Sequence, residues 1–283
     1  MSRPGRAAGA RILTWGRGPH YREPAMKELS GKRALVTGGG RGIGRVVALD
    51  LARQGVSVAV SSRTAAEREA VAAEVAALGV ASAAVACDVS RSDDVREAFR
   101  QARAALGGID ILVNGAGVAP SSLVARTTDE LWHQAIETNL SGAFYCLREA
   151  LPEMAERGWG RVVNVASIAG KRGAAYIAAY SASKHGLLGL TKCAALEVVE
   201  KGVTVNAVCP GYVDTPMTDA GVTRMAGKTG RSEAEIRKHI EDMSPQKRLF
   251  TSEEVSALVL FLCTDGARGI TGQALSLDGG MAL

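Results

Sequence analysis

No run of about 18 consecutive apolar residues occurs in the 283-residue sequence, which excludes a membrane-spanning helix. The five cysteines (Cys87, Cys146, Cys193, Cys209 and Cys263) form no CxxC pair, and the four histidines (His20, His133, His185 and His239) are scattered. Neither set has the spacing of a zinc site, and no metal is indicated. An odd cysteine count without a secretion signal fits reduced thiols and a cytoplasmic location. No apolar stretch of about 7–15 residues follows the basic start, which argues against a secretory signal. No Gly-Lys-Ser/Thr is present in the glycine-rich stretch near residue 40, so a nucleoside-triphosphate loop is not expected. Aromatic residues are scarce, at 4%.

A large excess of one charge is also missing from the main part of the chain. Lys and Arg number 34 against 29 Asp and Glu, a net charge of +5. Residues 1–30 hold six basic side chains (Arg3, Arg6, Arg11, Arg17, Arg22, Lys27) and two acidic ones (Glu23, Glu28), which is +4. The remainder, 28 basic against 27 acidic, is +1 and calls for no nucleic acid or other polyanion. Residues 1–25 interleave Gly, Pro and Arg without an apolar period. They are Ser-poor for a mitochondrial transit peptide, and Gly and Pro break any amphipathic helix. The composition predicts a disordered extension over residues 1–28, and translation is expected to be able to begin at Met26. The rest, residues 29–283, is expected to form one domain, since 47% hydrophobic residues are ample for a core.

Short apolar, β-branched runs alternate with helical patterns. RALVT (33–37), VSVAVS (56–61), ASAAVAC (81–87), IDILVN (109–114), RVVNVAS (161–167), VTVNAV (203–208) and a short run in QALSLDGG read as strands. Helices are predicted over 43–54, from Thr64, over 93–106, from Thr127 towards Leu151, over 175–200 and from Thr251 to Cys263. Thr64 with Glu67 and Thr127 with Glu130 have capping-box spacing, and Thr251–Glu254 caps the last helix. Residues 212–250 are polar and poorly periodic, with a helix after Ser232. Strands apolar on both faces, each followed by a helix, specify an α/β protein: a doubly wound parallel sheet of about seven strands with helices on both faces.

Between the first strand and first helix, TGGGRGIG places Gly38, Gly42 and Gly44. Turns collect glycine in any case. Here, however, the strand before and the helix after supply the context of a dinucleotide loop, in which backbone approaches a pyrophosphate at a helix N-terminus. The second strand ends SSRT. Ser62 stands where a carboxylate would select NAD, and Arg63 and Arg41 offer cations to a 2′-phosphate. NADP(H) is therefore expected over NAD(H).

Tyr180 and Lys184 lie at i and i+4 on a predicted helix, hence on one face. A neighbouring ammonium favours phenolate and lowers the phenol pKa, so the pair can exchange a proton with a carbonyl or alcohol oxygen. Ser167, at the end of the preceding strand, can hydrogen-bond the same oxygen. A YxxxK pair alone is common on solvated helices; the serine at the sheet edge strengthens it.

With these motifs the chain resembles the short-chain dehydrogenase/reductases over about residues 29–281. Further matches are Asp88 in CDVS, NGAG (114–117), Asn139 in ETNLSG and CPGYVDTPM (209–217). The resemblance implies a single-domain Rossmann fold and a homotetramer built through helices around 130–151 and 175–200 and the C-terminal strand. It implies Tyr180 as acid/base, Ser167 as the positioner of the substrate oxygen, Lys184 as the group that lowers the tyrosine pKa and binds the nicotinamide ribose, and Asn139 as the holder of a relay water. The cofactor is expected along Gly38, Arg41, Gly42, Ile43 and Gly44, then Ser62 and Arg63. Asp88 and Asn114 would contact or support the adenine side and Thr215 the nicotinamide amide, and Val89, Gly115, Ala116, Gly117, Pro210, Gly211, Val213, Tyr180 and Lys184 are further expected to line the cofactor. Gly115 departs from the family, which usually has a second Asn there, and leaves the support of the central strands by this segment open.

The stretches around Asn139, Tyr180 and Pro210 resemble 3-oxoacyl-thioester reductases and polyketide ketoreductases. Reduction of such a thioester or a similar ketone with NADPH is the leading expectation. Oxidation of an alcohol or 3-hydroxyacyl compound with NAD(P)+ is the second, and a non-catalytic dinucleotide-binding regulator the third. Arg126 matches a basic position used to dock acyl carrier protein, whereas Leu196 stands at its basic companion. A carrier-protein thioester, a CoA thioester and a free small ketone all stay open.

Overall fold

The alternating pattern becomes seven strands: β1 (Arg33–Thr37), β2 (Ser57–Ser62), β3 (Ser82–Ala86), β4 (Ile111–Asn114), β5 (Gly160–Val165), β6 (Val203–Pro210) and β7 (Ala274–Leu277). Among the described residues the helices are α1 (Gly42–Arg53), α2 (Ala65–Ala77), α3 (Ser92–Leu106), α4 (Asp129–Ile136), α5 (Gly142–Arg157), α6 (Ala178–Val198), α7 (Pro216–Thr229), α8 (Glu233–Met243) and α9 (Ser252–Cys263). The computed structural model describes residues 28–282, so the extension and the start at Met26 lie, Glu28 apart, outside the described residues. No described helix is long and apolar enough to cross a membrane, and no described group of His, Cys, Asp and Glu could hold a metal ion.

All strand pairs are parallel, in the order β3-β2-β1-β4-β5-β6-β7. Successive strand residues point to opposite faces. In β1, Ala34 and Val36 join α1, α2 and α9 in one core, while Leu35 joins α3, α5 and α6 in the other. The strand order reverses between β1 and β4. There the loops that leave β1 and β4 diverge to opposite faces and open a crevice at the carboxyl edge of the sheet.

Several local readings are corrected by tertiary packing. Thr64 is the N-cap of α2 but its side chain makes no capping bond, and Glu67 turns instead to Arg41 at 3.4 Å. The cap of α4 is Thr128, whose Oγ1 accepts from Leu131 N at 3.3 Å; Thr127 Oγ1 donates to Leu123 O. The helix from Thr127 towards Leu151 is interrupted by a π-helical turn, Glu137–Ser141, which carries Asn139. Such a turn takes up one extra residue and is frequent at functional sites. The polar stretch 212–250 contains α7 as well as α8. Its start was marked by Thr215 as N-cap and Pro216 in the first turn. The box at Thr251 and Glu254 is formed, as is one at Ser232 and Glu235.

The amino edge of the sheet, remote from the crevice, is fastened by charge. Asp110 accepts from Arg33 Nε at 2.7 Å, Arg33 Nη2 at 2.8 Å and Arg33 N at 3.0 Å, with Arg157 3.4 Å away. Burial alone would push the Asp110 carboxyl up, but hydrogen bonds to Arg33 and the charges of Arg33 and Arg157 outweigh it and hold the carboxyl below its ordinary value. Asp110→Asn is expected to destabilise the fold by about 1–3 kcal/mol at neutral pH. The contribution of the carboxylate is full above its unfolded value, about pH 4, and is lost as pH falls through the lower folded value. Thermal melts of both proteins check this: their difference should shrink on acidification below about pH 4, and one that stays constant excludes the assignment.

Candidate active site

The crevice starts at the glycine turn. Gly38 has φ +67°, and a Cβ there would lie 2.7 Å from Ala116 N and 2.8 Å from Gly115 C. Gly44 packs so closely on the Gly38 carbonyl that it too admits no side chain. The turn therefore lies flat on the segment after β4, and the first N–H groups of α1 face the crevice. The N-cap residue Arg41 supplies no side-chain cap to them, so they are available to an anion. Thr215 closes the other side: its Cγ2 is 3.6 Å from where a Cβ of Gly42 would stand. Ile43, Gly211 and Ala116 are half-buried, and Val89, Pro210 and Val213 are buried along the same edge.

Arg63 and Asp88 share a cleft of about 450 Å³ with Ser90, His133 and Thr138. Asp88 Oδ1 is held by Ser90 N at 3.1 Å and Ser90 Oγ at 2.7 Å, a tight local turn. Half-buried Ser62 donates to Thr64 O at 3.3 Å. Arg63 is exposed and its carbonyl is held by Arg68 at 3.1 Å. Gly115 replaces side-chain support with main-chain support, since its N–H donates to Thr37 O at 3.1 Å and lies 3.2 Å from Thr37 Oγ1. A Cβ at Gly115 would meet Thr37 O at 2.8 Å.

The remaining residues converge along the same edge. α6 presents Tyr180 and, one turn later, Lys184, whose Nζ is 5.8 Å from the phenol ring centre. Ser167 caps a short turn after β5, where its Oγ accepts from Ala169 N at 3.1 Å. Burial raises the Tyr180 phenol above its ordinary value, and a hydrogen bond from Ser167 opposes that rise. Buried Lys184 donates to Val165 O at 2.7 Å, and burial lowers its pKa to about 8. The expected lowering of the Tyr180 pKa by Lys184 is thus not seen in this arrangement, because desolvation acts on both groups and the ammonium is directed at a strand carbonyl.

Asn139 is 1% exposed. Its Oδ1 accepts from Val118 N at 2.8 Å, and its Nδ2 donates to Val118 O and Ser183 Oγ, each at 2.9 Å. Ser183 in turn donates to Tyr180 O at 2.7 Å. The side chain of Asn139 therefore ties the segment after β4 to the helix that carries Tyr180. Asn114 Nδ2 donates to Asn164 Oδ1 at 2.9 Å, and Asn164 Nδ2 donates to Thr191 Oγ1 at 2.9 Å. Sequence reasoning missed Ser183, Asn164 and Thr191. The only available signal was polar residues inside otherwise apolar runs. Arg126 lies in an exposed turn and Leu196 is exposed on α6, so both reach the surface. Chemically, the site sets a protonated phenol and a hydroxyl at one point, with a cation one helical turn away, beside a glycine cradle open to an anion.

A family model described as enoyl-(acyl carrier protein) reductase matches residues 38–282. The chain is 38% identical over 251 residues to the 3-oxoacyl-[acyl-carrier-protein] reductase FabG of Staphylococcus epidermidis, covering 88% of this chain and 98% of that protein. It is also 38% identical over 254 residues to the D-beta-hydroxybutyrate dehydrogenase of Rhizobium meliloti, covering 88% and 98%. The crystal structure of an actinorhodin polyketide ketoreductase variant with NADPH superposes with a TM-score of 0.86 at 37% identity, covering 90% of this chain and 98% of that one. The chain belongs to the short-chain dehydrogenase/reductase family of oxidoreductases, which act on CH–OH and ketone groups.

Asn139→Ala leaves the Val118 amide, the Val118 carbonyl and Ser183 Oγ without their partner. A loss of about 1–3 kcal/mol is expected for each group left unpaired and buried. Ser183→Ala, which removes one of these contacts, is expected to cost less. Denaturant titration with amide exchange at Val118 checks both, and an unprotected Val118 N–H in the native protein would exclude the tie.

Proposed function

We propose that this member of the short-chain dehydrogenase/reductase family reduces a 3-oxoacyl thioester, or a similar ketone, to the hydroxy product with NADPH. The convergence of Ser167, Tyr180 and Lys184 beside the glycine turn carries the reading. The cradle fits a dinucleotide: Gly38 and Gly44 let the turn pack tightly on its own backbone and on the segment after β4, and α1 offers uncapped N–H groups to a pyrophosphate. Gly38, Gly42, Ile43 and Gly44 would hold that pyrophosphate. Asp88, Val89 and residues 114–117 would line the adenine side, and Pro210, Gly211, Val213 and Thr215 the nicotinamide amide. Arg41 and Arg63 would meet the 2′-phosphate, with Ser62 admitting it where a carboxylate would repel it. When bound, the cofactor supplies hydride to the carbonyl carbon.

The chain's own residues manage the oxygen and the proton. Ser167 Oγ–H holds the carbonyl oxygen, and the Tyr180 phenol gives that oxygen its proton as negative charge develops. Protonated at neutral pH, the phenol can act as the proton donor in the reductive direction and, by reversal, its phenolate as the acceptor in the oxidative one. Lys184, at a pKa of about 8, is mostly charged at neutral pH, so it can stabilise the phenolate left behind and bind the nicotinamide ribose. Asn139 keeps the turn at Val118 fixed; with both of its amide hydrogens donated to Val118 O and Ser183 Oγ, its side chain serves as a strut rather than as the donor to a relay water.

A second reading, oxidation of a 3-hydroxy compound with NAD(P)+, draws on the dehydrogenase relative with equal identity. The intact acid/base pair argues against a non-catalytic regulator. Acyl carrier protein as substrate carrier is supported by the reductase relatives' name and by exposed Arg126, and weakened by Leu196 at the companion position. Exposed Trp132, Phe144 and Leu196 on α4, α5 and α6 support a homotetramer, for which sedimentation should give four times the chain mass; a monomer overturns it.

Tyr180→Phe is expected to lower turnover of 3-oxoacyl-CoA, 3-oxoacyl carrier protein and simple ketones by about 10²–10⁴-fold while NADPH affinity is kept. Steady-state kinetics with both cofactors, together with fluorescence titration of NADPH, check this. Unchanged turnover refutes the acid role, and higher kcat/KM in the oxidative direction would favour the second reading.

A further inference from the structure

The unformed capping box at the start of α2 places a carboxylate where it meets the cofactor cations. Thr64 makes no side-chain cap, and Glu67 is therefore not drawn back to it. Its Oε1 instead stands 3.4 Å from Arg41 Nη1. The stem of Glu67 lies against the glycine turn as well, since a Cβ on Gly40 would be 3.0 Å from Glu67 Cβ and 2.9 Å from Ser62 Oγ. Arg41, Ser62 and Glu67 thus border one spot, with Arg63 on the adjoining loop. Arg68 is engaged by the loop itself: it donates to the carbonyls of Ser62 and Arg63 and lies 3.8 Å from Glu69. Glu67 lies in the first turn of α2, where the helix N-terminus favours an anion.

We propose that Glu67 is a specificity-determining residue that competes with the 2′-phosphate of NADP(H) for Arg41. Glu67 takes up part of the donor edge of the exposed Arg41 guanidinium and sets a second negative charge beside the one the phosphate would bring. It does so before the cofactor arrives and repels the phosphate as it approaches. The preference for the phosphorylated cofactor is then weaker than two arginines and a serine alone would give. NAD(H), which has a hydroxyl at that position, neither displaces the pair nor feels the repulsion. The inference rests on the reading that Arg41 and Arg63 face the 2′-phosphate.

The test is equilibrium binding of NADPH and NADH to the full chain and to Glu67→Gln, read by quenching of intrinsic fluorescence or calorimetry. Glu67→Gln should tighten NADPH about three- to tenfold, as expected for removing one like-charge contact, and leave NADH within about twofold. The gain should shrink as salt rises and be smaller when Arg41→Ala is added, since only the direct repulsion then remains. A melting temperature close to wild type confirms that the variant is folded. NADPH affinity that is unchanged or weaker overturns the proposal. So does weaker NADH binding, which would make Glu67 a ligand of the ribose hydroxyls. The two readings fail separately. A wild-type chain that prefers NADH, shifted towards NADPH by Glu67→Gln, contradicts the NADPH preference and supports the competition. A wild-type chain that prefers NADPH with an unshifted ratio does the reverse.

Discussion

A short relay of buried amides and hydroxyls holds the helix that carries Tyr180 and Lys184 to the sheet. Asn114 at the end of β4 donates to Asn164 of β5, Asn164 donates to Thr191 of α6, and Thr191 donates to Leu187 O. Asn164 and Thr191 are almost completely buried, so each broken link would leave a polar group away from water at about 1–3 kcal/mol. Because α6 carries Tyr180 and Lys184, this relay sets their height above the strand edge. Asn139 and Ser183 make the second attachment, at the mouth of the crevice. The glycine turn and the helix bearing Tyr180 and Lys184 come from segments more than 100 residues apart, yet the turn packs on the segment after β4 and the helix is tied through Asn164 to Asn114 at the end of that same strand.

The two edges of the sheet have different work. At the amino edge, Arg33, Asp110, Arg157 and Glu153 form a partly buried charge network, and Trp159 is stacked between Lys32 and Arg161. None of these groups faces the crevice. At the carboxyl edge the polar groups are sparser and unequal in pKa, with a raised phenol and a lowered lysine in the same desolvated pocket. The amino edge is thus held by charge pairs, and the carboxyl edge by buried amide and hydroxyl contacts together with glycine turns and helix termini. That division follows from a parallel sheet, in which the helix-to-strand connections gather at the amino edge and the strand-to-helix loops at the carboxyl edge.

Much of this was legible in the chain because it is locally encoded. Strand and helix alternation, the glycine turn and the four-residue spacing of Tyr180 and Lys184 depend on φ/ψ preferences and helical period, which act within a few residues. The misread features are those in which a distant partner outcompetes a local one. Glu67 had the spacing to cap Thr64 but meets Arg41, which is 26 positions away. The helix through Asn139 had continuous period but gains a π turn, at a point where Gly142 packs against Val89 with no room for a Cβ. α7 had a clear cap at Thr215 and Pro216, but its mixed face hid the periodicity.

The sequence by itself determined the parallel α/β architecture and the glycine turn, both marked by short-range pattern, and it singled out Tyr180, Lys184 and Ser167 as candidates by spacing and Asn139 by family resemblance. Only the tertiary structure decided what those groups experience. Asn139 is a strut between Val118 and Ser183, and Lys184 is directed at Val165 O rather than set solely against its phenol. Tyr180 is raised rather than lowered, because desolvation depends on everything packed around a group and not on its neighbours in the chain.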